Sequence, residues 1–292
     1  MKRHVEYKCC IDSIQLRIED KGIETLFKEK YLLEINKRYE IVHRDKLSYR
    51  QIFTIRTVTN PKTKEQHLLL SFNGFKKYDN TRDGLLKNEF YEVINILISN
   101  DIRFYLNKID LAIDFTDIKF MDLFVRRTKY TGMQRLIPHL DIATQNKITN
   151  NKETFYLEKT SSSKNSSQRL YIYNKTLKEK NSGNLDINKN IYRLEVELVN
   201  FNKIKQQYDK NISHINLEHL SIEFDERRNK EVDEDKLLQL EISKNFYKQE
   251  FNNALLKEIK FRFDKYEIKC ADTSITFDYS IVEDILPFCT NL

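Results

Sequence analysis

Three short segments in which apolar and polar residues alternate constrain this chain more than any other feature of its sequence. They are NKIDLAIDF (residues 107–115), RLYIYNK (169–175) and YRLEVEL (192–198). Successive side chains on a β-strand point to opposite sides of the sheet, so alternation predicts strands with one apolar and one polar face. Because no glycine-rich strand-to-helix turn occurs, an antiparallel sheet in an α+β fold is favoured over a doubly wound one.

The polar faces of these segments collect charged and hydroxyl-bearing side chains. They carry Asp110 and Asp114; Arg169, Tyr171, Tyr173 and Lys175; and Arg193, Glu195 and Glu197. The solvated face of an ordinary antiparallel sheet alternates in the same way, which is the simpler interpretation. Against it, aspartate is disfavoured inside strands, and carboxylates on one face repel each other unless a cation compensates. The pattern alone leaves both interpretations open.

Periodicity elsewhere in the chain predicts the remaining elements. Strands are predicted over residues 11–19, 51–58, 67–72 and 268–277. Helices are predicted over residues 23–35, from Asp83 onward, near 120–127 and over 237–259. The pattern changes from strands to helices near Asn200, which predicts a strand-containing domain over 1–205 and a mostly helical region over 206–292.

Composition limits the classes of protein without choosing one. With 32% charged and 12% aromatic residues, the chain is typical of a folded globular protein. A net charge of +6 permits a polyanionic partner but does not require one. No uncharged apolar run approaches the ~20 residues that span a bilayer, and no signal-peptide core is present. We therefore expect a cytoplasmic protein whose four cysteines are free thiols.

In this order and roughly at this spacing, IDLAIDF, RLYIYNK and YRLEVEL resemble the replication initiation factor family. Its members include rolling-circle plasmid initiators, some phage replication proteins and related conjugative relaxases. LLLSFNGF (residues 68–75) is similar to the strand that precedes the helix in those proteins. The resemblance covers about residues 65–205. It implies an antiparallel sheet backed by helices, with the active site on the open polar face.

The resemblance also implies a chemistry, in which a tyrosine nicks one DNA strand and leaves a 5′-phosphotyrosyl enzyme and a free 3′-hydroxyl. The implied nucleophile is Tyr173, with Tyr171 on the same face as the alternative. The implied ligands of Mg²⁺ or Mn²⁺ are Asp110, Asp114, and Glu195 or Glu197. The implied DNA contacts are Arg169, Tyr171, Lys175 and Arg193. For Arg169, Lys175 and Arg193, the alternative role is to pair with the carboxylates.

The implied partner is origin DNA, single-stranded at the nick and double-stranded nearby, with a host helicase and a second copy of the chain as further candidates. Two departures from the family pattern motivate a rival function, a DNA-binding regulator without catalysis. Ser71 stands where some relatives have an acidic residue, and YLEKTSSSKNSSQ replaces a short turn before the tyrosine strand. A conjugative relaxase is a second rival. The region after residue 200 is predicted either to recognise the duplex origin or to pack behind the sheet.

Overall fold

The fold is α+β, as the sequence predicts, and is built on a nine-stranded antiparallel sheet. The structure is a computed structural model. It describes residues 5–19, 22–31, 33–35, 41–44, 51–60, 62, 64–73, 80–118, 123–127, 154–156, 168–181, 189–214 and 234–291. Among the described residues, no helix is both long and apolar enough to cross a bilayer.

Twelve strands are described, and nine of them form the large sheet in the order β2, β3, β4, β5, β1, β6, β10, β9, β8. Their bounds are β1 Glu6–Ile18, β2 Leu33–Ile35, β3 Ile41–Arg44, β4 Gln51–Thr59, β5 Gln66–Asn73, β6 Phe104–Thr116, β7 Leu123–Arg127, β8 Thr154–Tyr156, β9 Gln168–Asn174, β10 Ile191–Val199, β11 Tyr266–Cys270 and β12 Thr273–Ile275. Strands β12, β11 and β7 form a second, smaller sheet. The three alternating segments are β6, β9 and β10, which lie side by side.

Six α-helices are described: α1 Ile23–Lys30, α2 Asn80–Ser99, α3 Lys175–Asn181, α4 Asn202–His214, α5 Glu234–Phe263 and α6 Ser280–Ile285, the last followed by a 3₁₀ turn at Leu286–Phe288. Helices α1 and α2 pack on the apolar face of the large sheet. Phe27 of α1 contacts Phe53 of β4, with ring centroids 5.5 Å apart, and Phe90 of α2 contacts Phe72 of β5 at 5.0 Å. The helices therefore cover the face opposite to the polar one.

One hydrophobic core joins the sheet to the C-terminal part of the chain. Leu255 and Ile259 of α5 belong to the same buried cluster as Leu111 and Leu194 of the sheet. Arg262 reinforces this junction, because its guanidinium donates to the carbonyl oxygen of Asn200 at 3.2 Å and to that of Val199. The boundary at residue 205 stays a prediction, but the core is continuous across it.

The strands predicted over residues 51–58 and 67–72 and those of the three alternating segments are confirmed, with bounds that differ by a few residues. The predicted helix over 23–35 ends at Lys30, and residues 33–35 form β2. The helix predicted near 120–127 is wrong, because LFVRR forms β7 and pairs with β11. This pairing joins residues far apart in the chain, so tertiary contacts outweigh the local helical pattern. Most of the serine-rich stretch over 161–168 lies outside the described residues.

Candidate active site

Three rows of side chains cross the polar face from β9 through β10 and β6 to β1. The first row is Arg169, Glu197, Asp110 and Ser13; the second is Tyr171, Glu195, Ala112 and Cys10; the third is Tyr173, Arg193, Asp114 and Lys8. Residues opposite each other in an antiparallel pair are close enough for their side chains to interact. The sheet thus brings together the acidic, basic and tyrosine side chains that the sequence placed on one face.

Glu195 accepts a hydrogen bond from each of two tyrosines, one on each carboxylate oxygen. The hydroxyl of Tyr173 donates to Oε2 at 3.1 Å, and the hydroxyl of Tyr171 donates to Oε1. The two rings are stacked, with centroids 6.0 Å apart and planes inclined by 22°. A carboxylate bound in this way can take the proton of a phenol, so the group has the geometry of a general base beside a hydroxyl nucleophile.

Burial controls the ionisation of these three residues. Burial and the neighbouring charge of Glu195 raise the pKa of Tyr171 far above its usual value. Burial also raises the pKa of Tyr173, where Arg193 acts in the opposite sense and Glu195 adds to the rise. The pKa of Glu195 is raised by burial and by the charge of Asp12. Both phenols therefore keep their protons at neutral pH, and Glu195 is a stronger base than an exposed carboxylate.

The guanidinium of Arg193 is fully buried and holds two carboxylates. Its Nε and Nη2 atoms donate to the two oxygens of Asp114 at 2.7 and 3.0 Å, and its Nη1 atom donates to Asp12. Nη2 also lies 3.7 Å from the Sγ atom of Cys10. Burial opposes ionisation of Asp12, but the charges of Arg193, Lys175 and Lys178 together outweigh it and hold the pKa of Asp12 below its usual value. Arg193 is therefore the internal counter-ion of this side of the face.

Asp12 reaches this cluster because β1 contains a β-bulge. The register between β1 and β6 shifts between Ile11 and Ser13, so that Asp12 is the extra residue. Ile11 and Ile14 both lie in the core although they are three positions apart, and strict alternation would separate them. Regular alternation over residues 11–19 does not reveal Asp12 as a member of the polar face. The signal in the sequence is the spacing of three between the two isoleucines.

Asp110 lies in the row beside Glu195 and is only partly compensated. Its Oδ2 atom accepts hydrogen bonds from Ser13 and from Lys108, whose Nζ is 3.0 Å away. Its Oδ1 atom is buried without a hydrogen-bond partner. Burial raises the pKa of Asp110 to about 7, with Lys108 opposing the rise and Glu195 adding to it. Asp110 is therefore a carboxylate whose charge the cluster does not fully balance.

Helix α3 follows β9 without a loop and was not predicted. The strand was predicted to continue through Lys175, but it ends at Asn174. The side-chain oxygen of Asn174 accepts a hydrogen bond from the backbone N–H of Leu177 at 2.9 Å, which is a helix-capping contact. Lys175 is buried in the first turn and pairs with Glu179 at 2.5 Å. The asparagine before TLKEK was the available signal for this helix.

Lys178 of α3 lies against the tyrosine that the sequence identifies as the nucleophile. Its Nζ atom is 3.4 Å from the hydroxyl oxygen of Tyr173 and 4.5 Å from the centroid of the ring. Burial of the ammonium group and the charge of Lys175 lower the pKa of Lys178. Lys178 as a whole residue is exposed, so its ammonium lies at the boundary between solvent and the buried cluster.

The four carboxylates that the resemblance implies as metal ligands do not fit a divalent ion in this arrangement. Both oxygens of Asp114 hold Arg193. Lys108 lies between Asp110 and Glu197, at 3.0 and 3.6 Å. Within the described part of the chain, no group of three or more His, Cys, Asp or Glu side chains is placed to hold a metal. An ion would have to displace Lys108 or Arg193, and the Mg²⁺ or Mn²⁺ site stays a prediction.

The four residues with an implied role in DNA binding differ in exposure. Arg169 is exposed and lies 3.9 Å from Glu197, which is too far for a hydrogen bond. Tyr171 is half-buried, whereas Lys175 and Arg193 are buried with carboxylate partners. The structure thus gives Arg193 the second of its two expected roles, that of pairing with the carboxylates.

Comparison with protein-family models finds no match for this chain, and comparison with curated proteins finds none either. The resemblance to the replication initiation factor family therefore rests on the strand motifs and their side chains.

Proposed function

We propose that this protein is a rolling-circle replication initiator, a nickase that cleaves one DNA strand at an origin through a tyrosine. The observation that carries the proposal is the contact of both tyrosine hydroxyls with the two oxygens of Glu195. A tyrosine becomes a nucleophile only if a neighbouring group takes its proton, and Glu195 is placed to do so. The order and spacing of the three strand motifs support the same function.

Tyr173 is the proposed nucleophile because two charged groups contact its hydroxyl and a third lies near enough to act on its ionisation. Glu195 accepts its hydrogen bond at 3.1 Å, Lys178 lies 3.4 Å from its oxygen, and the charge of Arg193 favours its phenolate. Tyr171 contacts the same carboxylate and is half-buried, so it keeps its place as the alternative.

In the proposed reaction, Glu195 takes the proton of Tyr173 while the phenolic oxygen forms a bond to the phosphorus of a DNA phosphodiester. The bond between that phosphorus and the 3′ oxygen of the preceding nucleotide breaks, and this oxygen takes a proton from water. One strand then carries a free 3′-hydroxyl, and the 5′ phosphate of the other fragment stays on Tyr173. The raised pKa of Tyr173 implies that proton transfer and attack occur together, since a free phenolate is disfavoured at rest.

Covalent attachment tests this function directly. The whole protein is mixed with a random-sequence pool of single-stranded DNA labelled at the 3′ end, because the fragment downstream of the nick stays on the tyrosine. We expect a labelled protein band on a denaturing gel, lost in Tyr173→Phe and kept in Tyr171→Phe. Tyr173→Phe retains the ring and its packing, so DNA binding should survive. Attachment that persists in Tyr173→Phe and is lost in Tyr171→Phe would move the nucleophile by two residues.

One observation favours the rival function of a DNA-binding regulator without catalysis. Tyr173 is only 3% exposed, and a buried tyrosine hydrogen-bonded to a carboxylate also serves as a plain structural contact. Under this alternative, the wild-type protein binds DNA but yields no covalent band with any divalent cation. The same gel therefore separates the two functions.

A further inference from the structure

The cations around the tyrosine pair differ in whether a phosphate group can reach them. Arg193 is fully buried and saturated by Asp12 and Asp114. Lys175 is buried and pairs with Glu179. A phosphate oxygen needs a cation that it can reach, so neither of these side chains is placed to meet an incoming DNA strand.

Lys178, in contrast, lies where a phosphate can reach it. The residue is exposed, and its ammonium nitrogen is 3.4 Å from the oxygen of Tyr173 that would attack phosphorus. A phosphate within bonding reach of that oxygen must place a non-bridging oxygen close to the same ammonium. The cation also stands over the ring at 4.5 Å, so it occupies the approach to the tyrosine.

We infer that Lys178 binds the scissile phosphate. Its ammonium group contacts a non-bridging oxygen of that phosphate while Tyr173 attacks the phosphorus. The site therefore takes an anionic phosphodiester at the boundary between α3 and β9. In the transition state two negative charges develop beside Lys178, one on the phosphoryl oxygens and one on the partly ionised phenol, and an oriented cation stabilises both. The reaction in this inference is that of the proposed function, on which it rests.

The position of Lys178 is fixed by contacts at the start of its helix. The side chain of Asn174 caps the first turn of α3. Thr176 accepts a hydrogen bond from the backbone N–H of Ile191 at 2.8 Å and donates to the carbonyl oxygen of Lys189 at 2.7 Å. These bonds tie α3 to the start of β10, whose Arg193 and Glu195 face Tyr173. The lysine and the tyrosine are thus positioned by the same two strands.

Lys180 provides a matched control, because it lies two residues further along α3, is exposed and carries the same charge. The variants Lys178→Ala and Lys180→Ala lose one positive charge each, so any difference between them is local. The first measurement is the affinity of each variant for the single-stranded pool in a Tyr173→Phe background, where no reaction can occur. We expect Lys178→Ala to bind more weakly and to lower the salt dependence of binding by about one phosphate, a slope change of ~0.7. Lys180→Ala should retain the parent slope.

The second measurement is the rate of covalent attachment with Tyr173 present. We expect Lys178→Ala to slow it by about 10²-fold, and Lys180→Ala by about twofold or less. The cleavage position found in the pool is then resynthesised with an uncharged methylphosphonate at the scissile position. On that substrate the loss caused by Lys178→Ala should shrink, because the charge that Lys178 contacts is gone.

Equal affinities for the two alanine variants, or an equal loss of rate on the charged and uncharged substrates, would overturn the inference. If Lys178→Ala selectively weakens binding but the wild type never becomes attached to DNA, Lys178 contacts a DNA phosphate, but the proposed nicking and the scissile role of that phosphate both fail. If attachment is robust and insensitive to Lys178→Ala, nicking holds and the inference fails. Thermal unfolding of all variants checks that the fold is retained.

Discussion

Two neighbouring residues on opposite faces of β10 are buried to the same extent for opposite energetic reasons. Leu194 and Arg193 are neighbours on β10, and each is 0% exposed. Leu194 packs in the hydrophobic core, where burying its side chain stabilises the fold by about 2 kcal/mol. Arg193 brings a charge out of water together with Asp12 and Asp114, and the gain from pairing at best roughly offsets that cost.

This difference between the two faces distinguishes the side chains that stabilise the sheet from those that are candidates for function. The apolar face needs no explanation beyond the hydrophobic effect. The polar face combines a buried guanidinium, an unpartnered Asp110 oxygen and two tyrosines on one carboxylate. Perturbed titratable groups that cluster in this way are more typical of functional sites than of structural ones. We therefore expect substitutions on the two faces to have distinct signatures.

The largest effect is expected where the buried charges lose their counter-ion. Arg193→Met should lower the free energy of unfolding by about 3–5 kcal/mol, because Asp12 and Asp114 are then buried without a cation. Leu194→Ala, the matched change on the apolar face, should cost about 2–5 kcal/mol through the cavity that it creates. Urea denaturation measures both.

A combined substitution of Arg193 and its two carboxylate partners distinguishes the polar face from the apolar face. Adding Asp12→Asn and Asp114→Asn to Arg193→Met should recover much of the lost stability, since no unpaired charge remains. If Arg193→Met alone is as stable as the wild type, the buried carboxylates of the polar face do not depend on Arg193 as their counter-ion.

A second effect concerns pH and Asp110. Its folded-state pKa near 7 lies above the unfolded value of about 3.9, so the native state holds a proton that the unfolded state has released. Stability should therefore fall as pH rises from about 4 to about 7, on the order of 4 kcal/mol from this group, and stay low above that range. In Asp110→Asn the difference in unfolding free energy between pH 5 and pH 8 should be smaller than in the wild type. An unchanged difference would assign the pH dependence to other groups.

A third effect concerns the divalent ion that the resemblance implies. Lys108 occupies the space between Asp110 and Glu197. Lys108→Met should free both carboxylates and raise the affinity for Mn²⁺ about tenfold, or ~1.4 kcal/mol, in a calorimetric titration. Asp114→Asn should leave the affinity unchanged, because Arg193 holds that carboxylate. Tight Mn²⁺ binding by the wild type that is lost in Asp114→Asn would restore the ligand set predicted from the sequence.

The smallest effect is expected for the exposed arginine of the same face. Arg169 lies 3.9 Å from Glu197 with 59% of its side chain exposed, and such surface pairs contribute little. Arg169→Ala should change the unfolding free energy by less than about 0.5 kcal/mol, in contrast to Arg193→Met. A loss comparable to that of Arg193→Met would show that exposure does not separate the two arginines.

Alternation was enough to predict the central strands and to place eight of the nine polar side chains correctly on one face, because side-chain direction in a strand depends only on local geometry. The ninth, Lys175, belongs to α3. The order of the strands was beyond the sequence, since β1 lies between β5 and β6 through contacts distant in the chain. The same limit explains β7, whose partner β11 lies far away in the sequence.

The partners within the site were harder to predict than its members. Glu195 and Tyr173 were identified, but their shared hydrogen bond depends on the register between β9 and β10, which no single strand encodes. Asp12 was not predicted to lie in the site, because a bulge breaks the alternation of β1. Lys178 was not predicted either, because it lies in a short helix that begins where the strand was expected to continue.

The bulge at Asp12 divides β1 into two halves, and the alternation of polar and apolar side chains is shifted by one residue between them. Deletion of Asp12 alone would leave Ile11 and Ile14 two positions apart, so the strand would pair regularly and residues 6–11 would keep their faces. Ile11 would stay in the core and Cys10 on the charged face, and the carboxylate that accepts from Arg193 would be lost. A deletion of one residue should therefore be tolerated better at position 12 than within residues 6–11, where it would turn the residues on one side of it to the wrong face.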